Sequence, residues 1–301
     1  MLQLLNTLRQ IWNSDSVHPA TGYLRHAEWE IRRLLRRFPV DLPISNSVLH
    51  VDRDTGVAAL VNAMGKYDYN NMSFVAELLT WFGGTFVDVG ANIGTYTLVA
   101  SEAQGARVIS IEPHPGTFSL LLENVRRNER RTVTCLNVAL SDHDGSVRLT
   151  DAPESPLNRV IDSDDETCQS LTVPCWTMSA VCRELGVEPH FVKIDVEGHE
   201  RAVLNGLGNT ATACKAIFVE GGERASIRDW MRHFGFMGPL FVHFKKHLLS
   251  AMPQPRAEDP LFIHESLFPL LRHMNFDLPR SLGRVSEGGN DQGLDVGVQE
   301  H

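Results

Sequence analysis

Carboxylates that end short apolar runs are the side chains best placed to do chemistry in this chain. Asp88 lies in Phe86-Val87-Asp88-Val89, Glu112 follows the run Arg107–Ile111, and Asp195 follows His190–Ile194. The first run leads into Gly90-Ala91-Asn92-Ile93-Gly94, a small-residue turn before a helical stretch. Gly90 and Gly94 let a ligand approach the backbone, and the start of the next helix offers unpaired N–H groups. Nucleotide-binding sheets of several kinds use such a turn. In a dinucleotide site, however, glycine stands where this chain has Asn92, whose side chain would crowd a pyrophosphate. Asp88 would repel phosphates, yet it suits the ammonium of an amino-acid moiety, directly or through water. The pattern favours S-adenosylmethionine as the ligand; the plainer alternative is that Asp88 caps the following turn. Glu112, at a second strand end, is expected to accept hydrogen bonds from both ribose hydroxyls. Asn137-Val138-Ala139-Leu140-Ser141-Asp142 places small and polar groups where adenine would lie, with Asp142 or nearby backbone meeting its amine. Ser141–Gly145 is also a good polar turn.

The string Val192-Lys193-Ile194-Asp195-Val196-Glu197-Gly198-His199-Glu200 puts charge at the end of a fourth strand and the entrance of a helix. Asp195 is expected to face the methyl group to be transferred. Asp195 or Glu197 would orient an acceptor hydroxyl or take its proton, and His199 is a further candidate because imidazole titrates near neutrality. Asp195, Glu197, His199 and Glu200 also have the composition of a hard-metal cluster. Helix capping and acceptor binding are the preferred reading, and no metal ligand is assigned. His243 and His247 have no carboxylate motif beside them, and Cys168, Cys175 and Cys182 lack the tight pairing of zinc ligands.

These residues need a frame. From Thr85 onward, short apolar runs alternate with helical stretches, which predicts a mostly parallel, doubly wound α/β sheet. Strands are expected at Thr85–Val89, Arg107–Ile111, Val133–Asn137, His190–Ile194 and Ala216–Glu220. Helices are expected near Thr95–Ala103, Thr117–Asn128, Ser179–Leu185, Glu200–Asn205 and Ala225–Phe234. Pro239–Val242 and Leu261–Ile263 would complete the sheet as an antiparallel pair. Upstream, Leu24–Phe38 reads as an amphipathic helix whose apolar stripe packs on the domain with arginines outside; an anionic membrane is the other surface such a face suits. Val48–Val61 reads as a hairpin turning at Asp52–Gly56. Asp151–Glu166 reads as a surface loop, and Ser281–His301 as a disordered tail. The expected organisation is a helical and hairpin cap over 1–73, a catalytic domain over 74–280 and a tail over 281–301.

The chain has 301 residues, 43% of them hydrophobic, enough for one large core. Its 28 Lys and Arg against 37 Asp and Glu give a net charge of −9, which argues against nucleic acid as a partner. Five cysteines without a C-x-x-C pair fit a reducing cytoplasm, and no apolar run is long enough to span a bilayer.

Taken together, Asp88–Ala100 (DVGANIGTYTLVA), Ile111–Asn128 (IEPHPGTFSLLLENVRRN), Asn137–Asp142 (NVALSD) and Lys193–Glu200 (KIDVEGHE) resemble the FkbM family of methyltransferases, over roughly Phe74–Ile263. The resemblance implies a class I, Rossmann-like methyltransferase sheet of seven strands and O-methylation of a hydroxyl on a polyketide, glycolipid or other glycan. It matches Asp88, Gly90, Asn92 and Gly94 to the donor loop, Glu112 to the ribose acid, and Asp195 with Glu197 to the acids facing the site. One departure stands out: the family commonly has an acidic string such as Leu-Asp-Asp where this chain reads Trp176-Thr177-Met178-Ser179. A degenerate, non-catalytic scaffold and an NAD-dependent oxidoreductase are the rival readings. The second lacks a hydride-transfer pair.

Overall fold

The computed structural model describes residues 2–52, 55–151, 158–161, 169–252 and 259–279. The expected tail, 281–301, lies outside them, as does most of Asp151–Glu166 and, with it, Cys168.

The chain opens with helices α1 (Leu2–Trp12) and α2 (Pro19–Leu34), a hairpin of β1 (Val40–Ile44) and β2 (Ser47–Val51), and helices α3 (Gly56–Met64) and α4 (Tyr69–Phe82). The hairpin turns at Ser45-Asn46, upstream of the expected Asp52–Gly56. What was expected as its second strand is α3 instead. Thr55 caps that helix by accepting a hydrogen bond from the Ala58 N–H at 3.1 Å, and the run Gly-Val-Ala-Ala-Leu-Val-Asn-Ala-Met is rich in helix-forming alanine. In α2 the expected packing is also corrected: Gly22, His26 and Trp29 are the buried residues, while Leu24, Ile31, Leu34 and Leu35 face outward.

Next come β3 (Gly84–Val89), α5 (Thr95–Ala100), β4 (Ala106–Ile111), α6 (Pro115–Arg127) and β5 (Val133–Leu136). A small second sheet follows, made by β6 (Ala139–Leu140), β7 (Gly145–Thr150), β8 (Val160–Ile161) and β9 (Ser170–Trp176) in the order β6-β9-β7-β8. It was not expected, and β8 pairs with β7 inside the segment read as a loop. The chain then runs through α7 (Met178–Leu185), β10 (Phe191–Ile194), α8 (Glu200–Leu207), β11 (Ala216–Val219), α9 (Ala225–His233), β12 (Phe236–His243), β13 (Leu248–Ser250), β14 (Leu261–His264) and α10 (Phe268–His273).

The main sheet has eight strands in the order β13-β12-β14-β11-β10-β3-β4-β5. Strands β5, β4, β3, β10 and β11 are parallel, and β14 enters antiparallel between β11 and β12. The seven expected strands are therefore present, and β13 extends the edge beyond β12. Side chains alternate across the sheet. Phe86, Val108, Phe191 and Phe218 face one side, in a core shared with Trp29, Leu42, Ile44, Leu49 and Val51 of the N-terminal elements. Val87, Ile109, Val192 and Ile217 face the other, against Val181, Leu204 and Ile227 of α7, α8 and α9. Burial on both faces is why the strands read as nearly continuous apolar runs. Among the described residues no helix is long and apolar enough to cross a membrane.

Candidate active site

Strand order reverses between β3 and β10: the chain steps one way to β4 and β5, then returns to β10 and steps the other way to β11. In open parallel sheets the crevice beyond the carboxyl ends at such a point is the ligand site. The loops Gly90–Gly94 and Asp195–His199 meet there. A Cβ on Gly90 would lie 1.9 Å from the Asp195 carbonyl oxygen, and Gly90 has a φ of +79°, so only glycine lets the two loops touch. A Cβ on Gly94, φ +96°, would press on Leu121 of α6 at 2.9 Å. Packing within the protein thus requires glycine at 90, while at 94 it is the left-handed backbone that favours glycine, since the Leu121 side chain could give way. Asn92 and Glu197 also adopt left-handed backbone, with φ of 50° and 54°; asparagine tolerates this conformation, and at Glu197 it is strained.

The same alternation that buries Phe86 and Phe191 places Ser110, Asp88 and Lys193 in one row on that face, through the register Asp88↔Ser110 and Lys193↔Asp88. Asp88 is fully buried and accepts a hydrogen bond from the Thr97 hydroxyl of α5 at 2.7 Å, while Thr97 also meets Ser110 at 2.7 Å. Burial raises the Asp88 pKa. Glu112, at the end of β4, accepts from the Asn92 N–H at 3.0 Å through Oε2 and from the His114 N–H at 2.9 Å through Oε1. Burial nevertheless pushes its pKa up to about 7. Asp142 lies further out, exposed, 2.9 Å from His143 Nδ1, and this contact lowers its pKa.

Sequence reasoning passed over Lys193. It is buried at the centre of the site, with Nζ 2.6 Å from Asp195 Oδ2, 3.7 Å from Asp259 Oδ2 and 4.9 Å from the centre of the Tyr96 ring. Burial pulls its pKa down, but Asp195 and Asp259 outweigh that and hold it well above the ordinary lysine value. Asp68 and Asp259 were passed over as well. Asp68 stands at the N-cap of α4, but its carboxylate does not cap that helix; it accepts the Tyr96 hydroxyl instead. Burial raises the pKa of Asp68, and pushes Asp259 up to about 7. No spacing in the sequence relates positions 68, 96 and 259; for Lys193 the signal was a charge inside an apolar run on the face of Asp88.

The expected charged group at the end of β10 divides. Asp195, Glu197 and Glu220, from the end of β11, bring carboxylate oxygens within 4.8 Å of one another. Burial and mutual repulsion push Glu220 up to about 7 and raise Glu197, and Glu220 Oε2 is buried without a hydrogen-bond partner. His199 and Glu200 turn elsewhere. His199 Nε2 lies 3.0 Å from Ser141 Oγ, on the side of Asp142, and Glu200 is pinned by Arg224 at 2.9 Å and the Gly198 N–H at 2.7 Å. The four-residue cluster considered from sequence is therefore not assembled. Trp176-Thr177-Met178-Ser179 has a structural role: Thr177 caps α7 through Ala180, its N–H donates to Asp144 Oδ1 at 2.6 Å, and Ser179 donates to the Gly206 and Leu207 carbonyls of α8.

Sheet order, the glycine turn at the reversal and the acid ending the second strand define a class I methyltransferase fold. Residues 88–237 match the family model described as the methyltransferase FkbM domain. The chain belongs to the FkbM methyltransferase family. It is 33% identical over 144 residues to hexuronic acid methyltransferase AglP of Haloferax volcanii, covering 44% of this chain and 54% of that one. It is 29% identical over 142 residues to methyltransferase 1 of Beauveria bassiana, covering 40% and 57%. The chain thus spans a little over half the length of these curated relatives. Among solved structures, the S-adenosylmethionine-dependent methyltransferase from Agrobacterium tumefaciens matches with a TM-score of 0.42 at 8% identity, over 64% of this chain and 58% of that one.

Proposed function

We propose that the chain is an S-adenosylmethionine-dependent O-methyltransferase acting on a hydroxyl of a sugar, glycolipid or other small molecule. The observation that carries this reading is the charge of the crevice: Asp68, Asp88, Asp195 and Asp259 surround the one buried ammonium of Lys193, with Glu112, Glu197 and Glu220 on the rim. One lysine does not neutralise so many carboxylates, and those whose pKa is raised to about 7 hold protons until a cation joins them. A ligand that is itself cationic, a sulfonium carrying an ammonium, offsets the excess, whereas the pyrophosphate of a dinucleotide would add to it. The residues present therefore fit this donor.

Glu112 and the loop Gly90–Gly94 would hold its ribose and amino-acid ends, Asp88 would support that loop through Thr97, and Asp142 would lie toward the adenine. Bound there, the donor supplies an electrophilic methyl group. This chain's own residues orient the acceptor and receive its proton. Lys193 holds Asp195 by Oδ2 at 2.6 Å, which leaves Oδ1 to accept a hydrogen bond from the acceptor hydroxyl and then its proton. Glu197, rising from the same loop, is the second acid available to the acceptor. His199, bound to Ser141, is reassigned from that role to the loop beside Asp142. Because carboxylates crowd the acceptor side, a neutral hydroxyl compound suits it better than one carrying its own carboxylate.

Titration calorimetry with S-adenosylmethionine and with NAD tests the donor. Binding of the first and not the second is expected, and the reverse would overturn the reading. Labelled donor offered with neutral sugars, uronic acids, glycolipids and polyketide alcohols then identifies the acceptor. Saturable donor binding without methyl transfer to any extract or compound would favour the scaffold reading.

A further inference from the structure

The outer face of α2 is not explained by the fold. Leu24, Ile31 and Leu35 lie seven and four residues apart, and Leu34 lies three from Ile31, so the four side chains form one stripe along the helix. They are 74%, 58%, 54% and 75% exposed in the order Leu24, Ile31, Leu35, Leu34. Gly22, His26 and Trp29, on the opposite side, make the contact with the protein. The neighbouring α1 exposes two more large apolar side chains, Leu5 and Trp12. Single exposed leucines are ordinary, but an aligned stripe of them is not.

Charge identifies what the stripe meets. Between Arg25 and Arg37 there are five arginines and two glutamates, in a chain whose net charge is −9. Both glutamates already face arginine: Glu28 lies 3.6 Å from Arg32, and Glu30 lies 2.7 Å from Arg33. Arg32, Arg33, Arg36 and Arg37 cluster at the helix's C-terminal end, beside Leu34 and Leu35. Guanidinium forks next to aliphatic side chains are the chemistry of a phospholipid interface, where the forks bind phosphate and the aliphatic groups enter the acyl boundary.

We propose that α2 docks the protein on an anionic lipid bilayer, with Leu24, Ile31, Leu34 and Leu35 inserted and the arginines on the headgroups. The inference is independent of the methyl-transfer reading and stands if that reading fails. A second copy of the chain is the less favoured occupant, because pairing two such helices side by side brings arginine-rich faces together with both glutamates already engaged.

The test is sedimentation of the full chain with vesicles of phosphatidylcholine alone and of phosphatidylcholine containing about a third phosphatidylglycerol, at low and high salt. Binding to the anionic vesicles should be about tenfold tighter or more and should weaken as salt rises. The variant with Leu24→Glu, Ile31→Glu and Leu34→Glu should lose binding. The variant with Arg32→Gln, Arg36→Gln and Arg37→Gln should weaken it about tenfold and flatten the salt dependence. Melting temperature should hold in both, since the substituted side chains lie outside the core. Absence of any preference for anionic vesicles, or binding that survives the glutamate variant, would overturn the proposal. So would a lipid-free dimer that depends on Leu24, Ile31 and Leu34 in a chain that ignores vesicles, for then the stripe is a subunit interface.

Discussion

Over β3 and β4, carboxylates are held by the protein itself: Glu112 by two backbone N–H groups, Asp88 by Thr97. Over β10 and β11, Asp195, Glu197 and Glu220 crowd one another, and the Lys193 ammonium that pairs with Asp195 is shared with Asp259. The first side is organised by the protein's own groups, which fits the donor site proposed for it. The second keeps unspent hydrogen-bonding capacity, as at Glu220 Oε2, which fits the proposed acceptor side.

The most severe way to break this contrast is Gly90→Ala, because Gly90 is where the two sides touch. A backbone clash at 1.9 Å together with left-handed strain should destabilise the fold by about 2–4 kcal/mol and abolish donor binding. Thermal melting and calorimetry read both effects, and near-normal donor affinity would show that the loops are not coupled. Next is Asp195→Asn, which keeps the shape but removes the base. Turnover should fall about 100-fold, while donor affinity barely moves. If donor binding falls instead, Asp195 belongs with Asp88 and Glu112, and the division between the two sides is wrong.

Glu112→Ala should show the opposite separation, weakening donor binding by about 1–3 kcal/mol, the range for hydrogen bonds to a charged group. Unchanged affinity by calorimetry would remove Glu112 from the donor site. The smallest effect is in pH. Glu112, Asp259 and Glu220 have pKa values raised to about 7, so without ligand they hold protons up to neutrality. A cationic donor stabilises their ionised forms and expels those protons. Donor affinity should therefore rise severalfold from about pH 6 to about pH 8 and level off above the raised pKa values. Calorimetry in buffers of differing ionisation enthalpy should record proton release, and affinity flat across that range would contradict the account. The same groups contribute to stability with the opposite trend: each carboxyl costs stability as pH climbs from its unfolded value through its raised folded value, so the apo chain should melt at lower temperature at pH 8 than at pH 6.

The parallel strands were legible because each is buried on both faces and reads as an apolar run ending at a charged or small residue. Gly90 and Gly94 were legible as glycines, but the sequence did not show that protein atoms fill the space beside them. Lys193 was hidden between Val192 and Ile194, where a lone charge reads as an exception in a strand, and only the register with Asp88 reveals its place. Asp68, Tyr96 and Asp259 converge through tertiary folding alone. The second sheet escaped notice because β6 and β8 are two residues long and β7 buries only Leu149 fully, which leaves little alternation to read. The hairpin was misplaced because Asp52–Gly56 looks more like a turn than Ser45-Asn46, although Thr55 was the better signal, as a helix cap.

Kinship and foldability draw different boundaries in this molecule. The stretch that matches the family runs from Asp88 to Met237, yet β14, which lies between β11 and β12, comes from residues 261–264. Cut out at its recognisable limits, that stretch would leave β11 with a raw edge where β14 should pair and Phe191 and Phe218 without the N-terminal layer that covers them. What descent has marked most clearly here is a stretch with an open strand edge and an uncovered core face, and the less recognisable flanks supply the missing strand and the missing wall.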